Sequence, residues 1–362
     1  LAKFGKKALL VSGMGSIRKN GVYNLVTTSL AEAGIAFVDF PGVRSNPVLS
    51  HVLEGVALAR REGVDCILAV GGGSPIDAAK AIAVMATNDG PCSAYFGTDL
   101  YPRPNLPVVA VPTTAGTGSE VTPYSVLVDL EQHSKRTLTG RGLFPVVAFL
   151  DPTLSVSMPR SVTINTGLDA LSQAMEGMVS LRATPLGDTL ALETCRLVRE
   201  WLPRAAAEPG SVEARGQMLY AAMLSGCIIA HSGTTLVHGM GYYFTLENGL
   251  AHGLANGLLL APVFAYNAQH IPEKVAALAT ALGFPADPVP EDASWQIVRA
   301  IYAVLESLGV PPAAREAGVD PARLRSFAEQ IFPDRSRFKN QPGNPSLDEV
   351  LGFFEKACAG NC

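Results

Sequence analysis

A chain of 362 residues, 48% of them hydrophobic, is long enough for two globular domains and too apolar for a disordered protein. The net charge of −4 carries no long block of like charges, which speaks against a nucleic-acid partner. No apolar run reaches the length of a membrane span, so a soluble, cytoplasmic protein with no membrane partner is expected. The N-terminal "LAKFGKKALLVSGMG" pairs a basic start with an apolar run. That run is short and lacks a small-residue cleavage pattern, so it reads as a first β-strand rather than a signal peptide. Up to residue 152, short β-branched runs ("ALLVSG", "AFVDF", "CILAVGGG", "PVVAVPTT") alternate with helical patterns ("YNLVTTSLAEAG", "VLSHVLEGVALARREG", "PIDAAKAIAVMA"), and "VVAFLD" closes the region. Strand and helix in alternation predict a parallel sheet with both faces covered. From residue 153 to 362 the sequence is Ala/Leu-rich and helical in period, punctuated by Gly and Pro, which predicts an all-helical second domain with a ligand cleft between the two. Six scattered cysteines without a CxxC pair read as reduced thiols, with Cys66 and Cys227 as buried packing residues.

Several motifs carry chemistry. In "CILAVGGGSPIDAAKAIA" a buried strand ends in Gly71, Gly72, Gly73 and Ser74, and a helix is expected from Pro75. Glycines let backbone N–H groups approach an anion, and the helix N-terminus adds the positive end of its dipole, a combination suited to a diphosphate. The string is neither GxGxxG nor a Walker loop; the alternative is a plain tight strand-to-helix turn, which by itself explains one or two of the glycines. A second loop of small residues, "VPTTAGTGSEVTP", offers Thr113, Thr114 and Thr117 for ribose, phosphate or nicotinamide contacts. In "GLDALSQAMEG", Asp169 and Gln173 stand four residues apart on one helix face. They form either half of a metal site or an ordinary polar patch. His238 and His252, each followed by glycine in "LVHGMGYYFTLENGLAHGLANGLLL", complete a mixed N/O donor set suited to iron or zinc.

Five ordered motifs, "GGGSPIDAAKAIA", "PTTAGTGSEVT", "DPTLSVSMP", "GLDALSQAMEG" and "LVHGMGYYFTLENGLAHGLANGLLL", resemble the iron-containing (group III) alcohol dehydrogenases over nearly the whole chain. The resemblance implies a Rossmann-like α/β N-terminal domain, an all-α C-terminal domain of the dehydroquinate synthase-like fold, and a homodimer. It also implies a divalent ion, Fe²⁺ first and Zn²⁺ as the alternative, held by one aspartate and three histidines. The aspartate matches Asp169, two histidines match His238 and His252, and the third falls on Gln173, a neutral and generally weaker donor. Tyr242 stands where many relatives carry a further histidine near the substrate. It can donate a hydrogen bond to an alcohol oxygen but does not titrate near neutrality. His231 lies two turns before His238, too far to share its ion.

The activity implied is reversible hydride transfer between a small primary alcohol or aldehyde and NAD(P), with Asp169, His238, His252 and Tyr242 as the catalytic group. Phe244 and Tyr242 are the expected apolar pocket lining. Gly71, Gly72, Gly73 and Ser74 would hold the diphosphate, with Asp77 ordering the loop or touching the cofactor. Lys135 would reach the ribose, and Asn46 would sit beside the adenosine. NAD-preferring relatives commonly carry an aspartate in the turn after the first strand, where this chain has Gly13. With Gly15 and Ser16 opening the next helix and Arg18 and Lys19 behind, that turn predicts NADP(H) over NAD(H); the plain alternative is a solvated helix start. Two other classes remain: a nucleotide-binding protein with a degenerate metal site, and a dehydroquinate synthase-like lyase. The lyase is disfavoured by the apolar residues around the candidate ligands.

Overall fold

The computed structural model describes residues 1–130, 134–284 and 290–362. The chain divides into two compact units, Leu1–Thr114 with Gly118–Met158, and Ala115–Thr117 with Pro159–Cys362. In the first unit, strands β1 (Lys7–Gly13), β2 (Ala36–Val43), β3 (Cys66–Gly71), β5 (Val108–Pro112) and β8 (Val147–Ala148) form one sheet in the order β2-β1-β3-β5-β8. Every pairing in it is parallel. Helices α1 (Ser16–Lys19), α2 (Val22–Glu32), α3 (Leu49–Glu62) and α4 (Gly73–Thr87) supply the crossovers.

The central strands read as unbroken apolar runs because both faces are buried. Leu9, Val11, Ile67, Ala69, Val108 and Ala110 join a core with Val52, Val56, Ile76 and Ile82 of α3 and α4. The alternate residues Ala8, Leu10, Cys66, Leu68, Val70, Val109 and Val111 face Ile17, Val22 and Leu30 of α1 and α2. A second sheet, not expected from the sequence, joins β4 (Gly97–Thr98), β7 (Ser134–Thr139) and β6 (Tyr124–Asp129), with β6 and β7 antiparallel.

The second unit is helical, as expected: α5 (Arg160–Val179), α6 (Pro185–Ala207), α7 (Val212–Ser232), α8 (Leu236–Asn248), α9 (His252–Asn267), α10 (Pro272–Ala281), α11 (Pro290–Ser307), α12 (Leu324–Ile331) and α13 (Leu347–Ala359). Cap chemistry sets several starts. Thr184 caps α6 ahead of Pro185, Ser211 caps α7, and Ser346 with Glu349 closes a capping box on α13. Helix α5 is the hub, packed against α6, α7 and α9 and buried on all sides from Gly167 to Val179. Its polar residues therefore lie inside the unit and need partners there.

Among the described residues no single helix is long and apolar enough to cross a membrane. The six cysteines are thiols, none joined in a disulfide. Burial pushes Cys66 up to about 12, whereas Cys227 is only half-buried on α7, a correction to its expected place in the core.

Candidate metal centre and nucleotide cradle

In the first unit, β3 ends at Gly71, whose φ of 151° lies where L-residues are strained. Gly72 caps α4, which starts at Gly73 and not at Pro75, because Gly72 already holds the extended cap conformation. Gly73 and Ser74 therefore form the first turn, where backbone N–H groups lack intrahelical partners. A side chain at Gly72 would press on Thr114, and the Thr113 N–H donates to Gly71 O at 2.9 Å, so the two loops brace one another. Asn46, at a φ of 56°, donates its N–H to Ser74 Oγ at 3.2 Å. At the end of β1, Gly13 is followed by Gly15, with a φ of 129°, and by Ser16 as the first residue of α1.

Asp77, in the second turn of α4, bonds to the second loop of small residues and to β6 rather than to the glycine loop. Its carboxylate accepts from Ser119 Oγ at 2.5 Å and Val126 N at 3.1 Å, and burial raises its pKa despite the nearby Lys80 charge. Lys80, one turn on, is fully buried and was not picked out from the sequence. Its ammonium donates to Ser119 Oγ (3.1 Å), Thr122 O (2.8 Å), Thr122 Oγ1 (3.2 Å) and Tyr124 O (2.9 Å). Burial pulls its pKa down to about 8, against the charges of Asp77 and Glu120. Lys135 stands on β7, where its charge is felt at Asp77.

In the second unit, Asp169, His238 and His252 offer donor atoms that all lie within 4.8 Å of one another. Asp169 Oδ1 is 3.5 Å from His238 Nε2 and 3.8 Å from His252 Nε2. Ligand bonds of about 2.1 Å to one ion put neighbouring donors about 3.4 Å apart in a tetrahedral set, so these side chains suit a divalent metal. Two imidazoles and a carboxylate are also the donor types that iron and zinc take. His238 sits in the first turn of α8 and His252 opens α9. At Gly253 a Cβ would collide with the Asn165 carbonyl of α5, so glycine permits the close α5–α9 approach that brings His252 to Asp169.

Glu176, two turns after Asp169, is fully buried and was missed from the sequence. Its Oε2 bonds His238 Nδ1. Its Oε1 accepts from Thr235 N (2.9 Å), Thr235 Oγ1 (2.8 Å) and His238 N (3.2 Å). One carboxylate thus caps α8 from another helix and aims His238 Nε2 at Asp169. The available signal was spacing, since residues 169, 173 and 176 share one face of α5. Burial alone would lower the His238 pKa, but Glu176 and Asp169 raise it to about 10. Asp169 shifts down: burial would raise it, but His238, His252 and Asn256 outweigh that.

Gln173 adjoins this cluster with its amide nitrogen, not its oxygen, toward Asp169 Oδ2 at 3.2 Å. Thr117, expected at the nucleotide, groups with the helical unit, where its carbonyl faces Gln173 Nε2 at 3.5 Å. Tyr242 is half-buried one turn beyond His238, with the Arg337 guanidinium 5.5 Å from its ring centre. Phe244 is not pocket lining: it is fully buried among Phe327 and Phe354, because residue 244 turns to the core side of α8. His231 is exposed in the last turn of α7, outside the ligand group.

Comparison with known proteins matches residues 1–152 to the family described as iron-containing alcohol dehydrogenase. Residues 163–358 match the C-terminal region of the same family. A 1,3-propanediol dehydrogenase of Klebsiella pneumoniae is 36% identical over 98% of this chain and 92% of its own length. An NAD-dependent methanol dehydrogenase of Bacillus methanolicus is 35% identical, covering 97% and 92%. The crystal structure of a 1,3-propanediol oxidoreductase superposes with a TM-score of 0.94 at 36% identity, covering 98% of this chain and 92% of that one.

Proposed function

The chain belongs to the iron-containing alcohol dehydrogenase family, and we propose that it interconverts a small primary alcohol and its aldehyde, with Fe²⁺ as resident ion and NADP(H) preferred over NAD(H). At the coarser level it is a metal-dependent alcohol dehydrogenase and aldehyde reductase linked to a nicotinamide dinucleotide. The observation that carries the proposal is the convergence of Asp169, His238 and His252. When bound, the ion supplies Lewis acidity to the substrate oxygen, and the nicotinamide supplies or takes the hydride. The protein's own part is to hold and orient. Asp169 brings the negative charge that favours a cation, and Glu176 fixes the ring of His238. Tyr242, one turn on, stands to donate a hydrogen bond to the substrate oxygen. In the first unit, Gly71, Gly72, Gly73 and Ser74 offer N–H groups to the diphosphate.

Fe²⁺- or Zn²⁺-loaded protein, assayed for NADPH and NADH oxidation with a panel of aldehydes, tests this reading. Turnover concentrated on short-chain aldehydes is expected. No turnover across the panel in metal-loaded protein would leave a nucleotide-binding protein with a degenerate site.

The NADP(H) preference rests on Gly13, which presents no carboxylate to repel a 2′-phosphate. Arg18 lends little, because its guanidinium is paired with Asp39 and lies 3.7 Å over the Tyr23 ring centre. The preference should accordingly be modest, a few-fold in kcat/KM. A Cβ on Gly13 would meet Val43 O at 3.6 Å and Pro75 Cγ at 3.7 Å, ordinary contacts, so Gly13→Asp is sterically admissible. That variant is expected to shift the NADPH/NADH ratio of kcat/KM about tenfold or more toward NADH, in line with about 1.4 kcal/mol of added repulsion. Better efficiency with NADH in the unmodified enzyme would contradict the preference.

A further inference from the structure

We infer that the metal is held by three side chains, Asp169, His238 and His252, and that Gln173 is not a fourth ligand but a hydrogen-bond donor that locks Asp169 in place. This rests on the metal-site reading above and concerns the one ligand position where the chain departs from the donor type its resemblance implied.

The two oxygens of Asp169 are differently engaged. Oδ1 is the oxygen that faces both His238 Nε2 and His252 Nε2. Oδ2 is the one that Gln173 Nε2 holds at 3.2 Å. A carboxylate and a peptide carbonyl only accept hydrogen bonds, so the side of the Gln173 amide facing Asp169 Oδ2 and Thr117 O must be its NH₂ group. The amide oxygen lies 2.9 Å from the Ser225 hydroxyl of α7, whose single proton is shared with the Ala222 carbonyl at 2.8 Å, so the two acceptors on the other side set the amide's orientation. Turning the amide over to offer oxygen would set that oxygen against two acceptors and forfeit both bonds. Gln173 is 4% exposed, so bulk solvent does not reach it to compensate. A second amide completes the clamp, since Asn256 Nδ2 donates to Asp169 Oδ1 at 3.2 Å. Two amides and one carboxylate therefore form a rigid arm that leaves a lone pair of Oδ1 for the ion, and with two histidines and one carboxylate as its ligands a bound ion would keep at least one coordination position for solvent or substrate.

Mn²⁺ alone is the probe, with binding followed by electron paramagnetic resonance of the free ion and solvent access by water-proton relaxation per bound ion. Gln173→Met keeps the side-chain length and removes both amide atoms. It is expected to weaken Mn²⁺ binding about tenfold through the loosened aspartate while leaving relaxation per ion unchanged. Gln173→His is expected to tighten binding about tenfold or more and lower the relaxation per ion, because an imidazole closes an open position. A rise in relaxation in Gln173→Met, or no change in Gln173→His, would mean that Gln173 already ligates, and would overturn the inference while sparing the metal site. Should Gln173→His fail to fold, the methionine variant decides alone. Absence of Mn²⁺ binding in the unmodified protein would bring down the metal-site reading and this inference with it.

Discussion

His252→Ala is expected to lower kcat about a thousandfold or more and to strip the protein of tightly bound metal while leaving it folded. The His252 side chain is 37% exposed at the first residue of α9, whereas that of Asp169 is 5% exposed within the hub helix. Truncating the histidine leaves no core cavity, and the buried Asp169 carboxylate keeps His238, Gln173 and Asn256 as partners, so a loss of function cannot be assigned to collapse. Lewis-acid assistance is worth several kcal/mol of barrier, and about 4 kcal/mol corresponds to a factor of about a thousand. Metal per chain and steady-state rate, measured on the same preparation beside a thermal melt, check the claim. Full metal content and full rate in a folded His252→Ala protein would remove this residue from the site.

Glu176→Gln should weaken metal binding about ten- to a hundredfold and also lower stability, a pairing that separates it from the ligand variants. The carboxylate accepts on both oxygens, from Thr235 N, Thr235 Oγ1 and His238 N on one side and the His238 ring on the other. A glutamine offers only one accepting oxygen. Either the α8 cap or the His238 ring then faces an NH₂ group, leaving a buried donor unpaired at about 1–3 kcal/mol. Loss of the bond that orients a ligating histidine typically costs affinity in the range given. Chelator competition for the metal and urea melts of the metal-free protein read the two effects separately. A variant with unchanged affinity would reduce Glu176 to a helix cap.

The legible parts of this fold are those where one physical requirement dominates. Strands β1, β3 and β5 are buried on both faces, so "ALLVSG", "CILAVG" and "VVAVP" announce themselves as apolar runs. The small sheet escaped notice because β6 alternates buried and half-buried residues and pairs with the polar β7, which in turn pairs with the two-residue β4. The donors Asp169, His238 and His252 were visible as residue types in recognisable settings. What orients them was not: Glu176 acts on His238 from another helix, and the direction of the Gln173 amide depends on the Asp169 carboxylate and on the carbonyl of Thr117, far off in the sequence. Such contacts belong to tertiary packing, which a linear reading does not assemble. Phe244 shows the converse. Aromatic character suggested a pocket wall, but its angular position on α8 sends it to the core beside Phe327 and Phe354.

Reconstitution of the metal-stripped, unmodified protein with Fe²⁺ tests the central claim most directly, with bound iron per chain and aldehyde reduction by NADPH or NADH followed together. The account predicts that the stripped protein is folded and inactive, and that activity rises in proportion to bound iron until a single ion occupies each chain. Undiminished aldehyde reduction in protein from which the metal has been removed would contradict it.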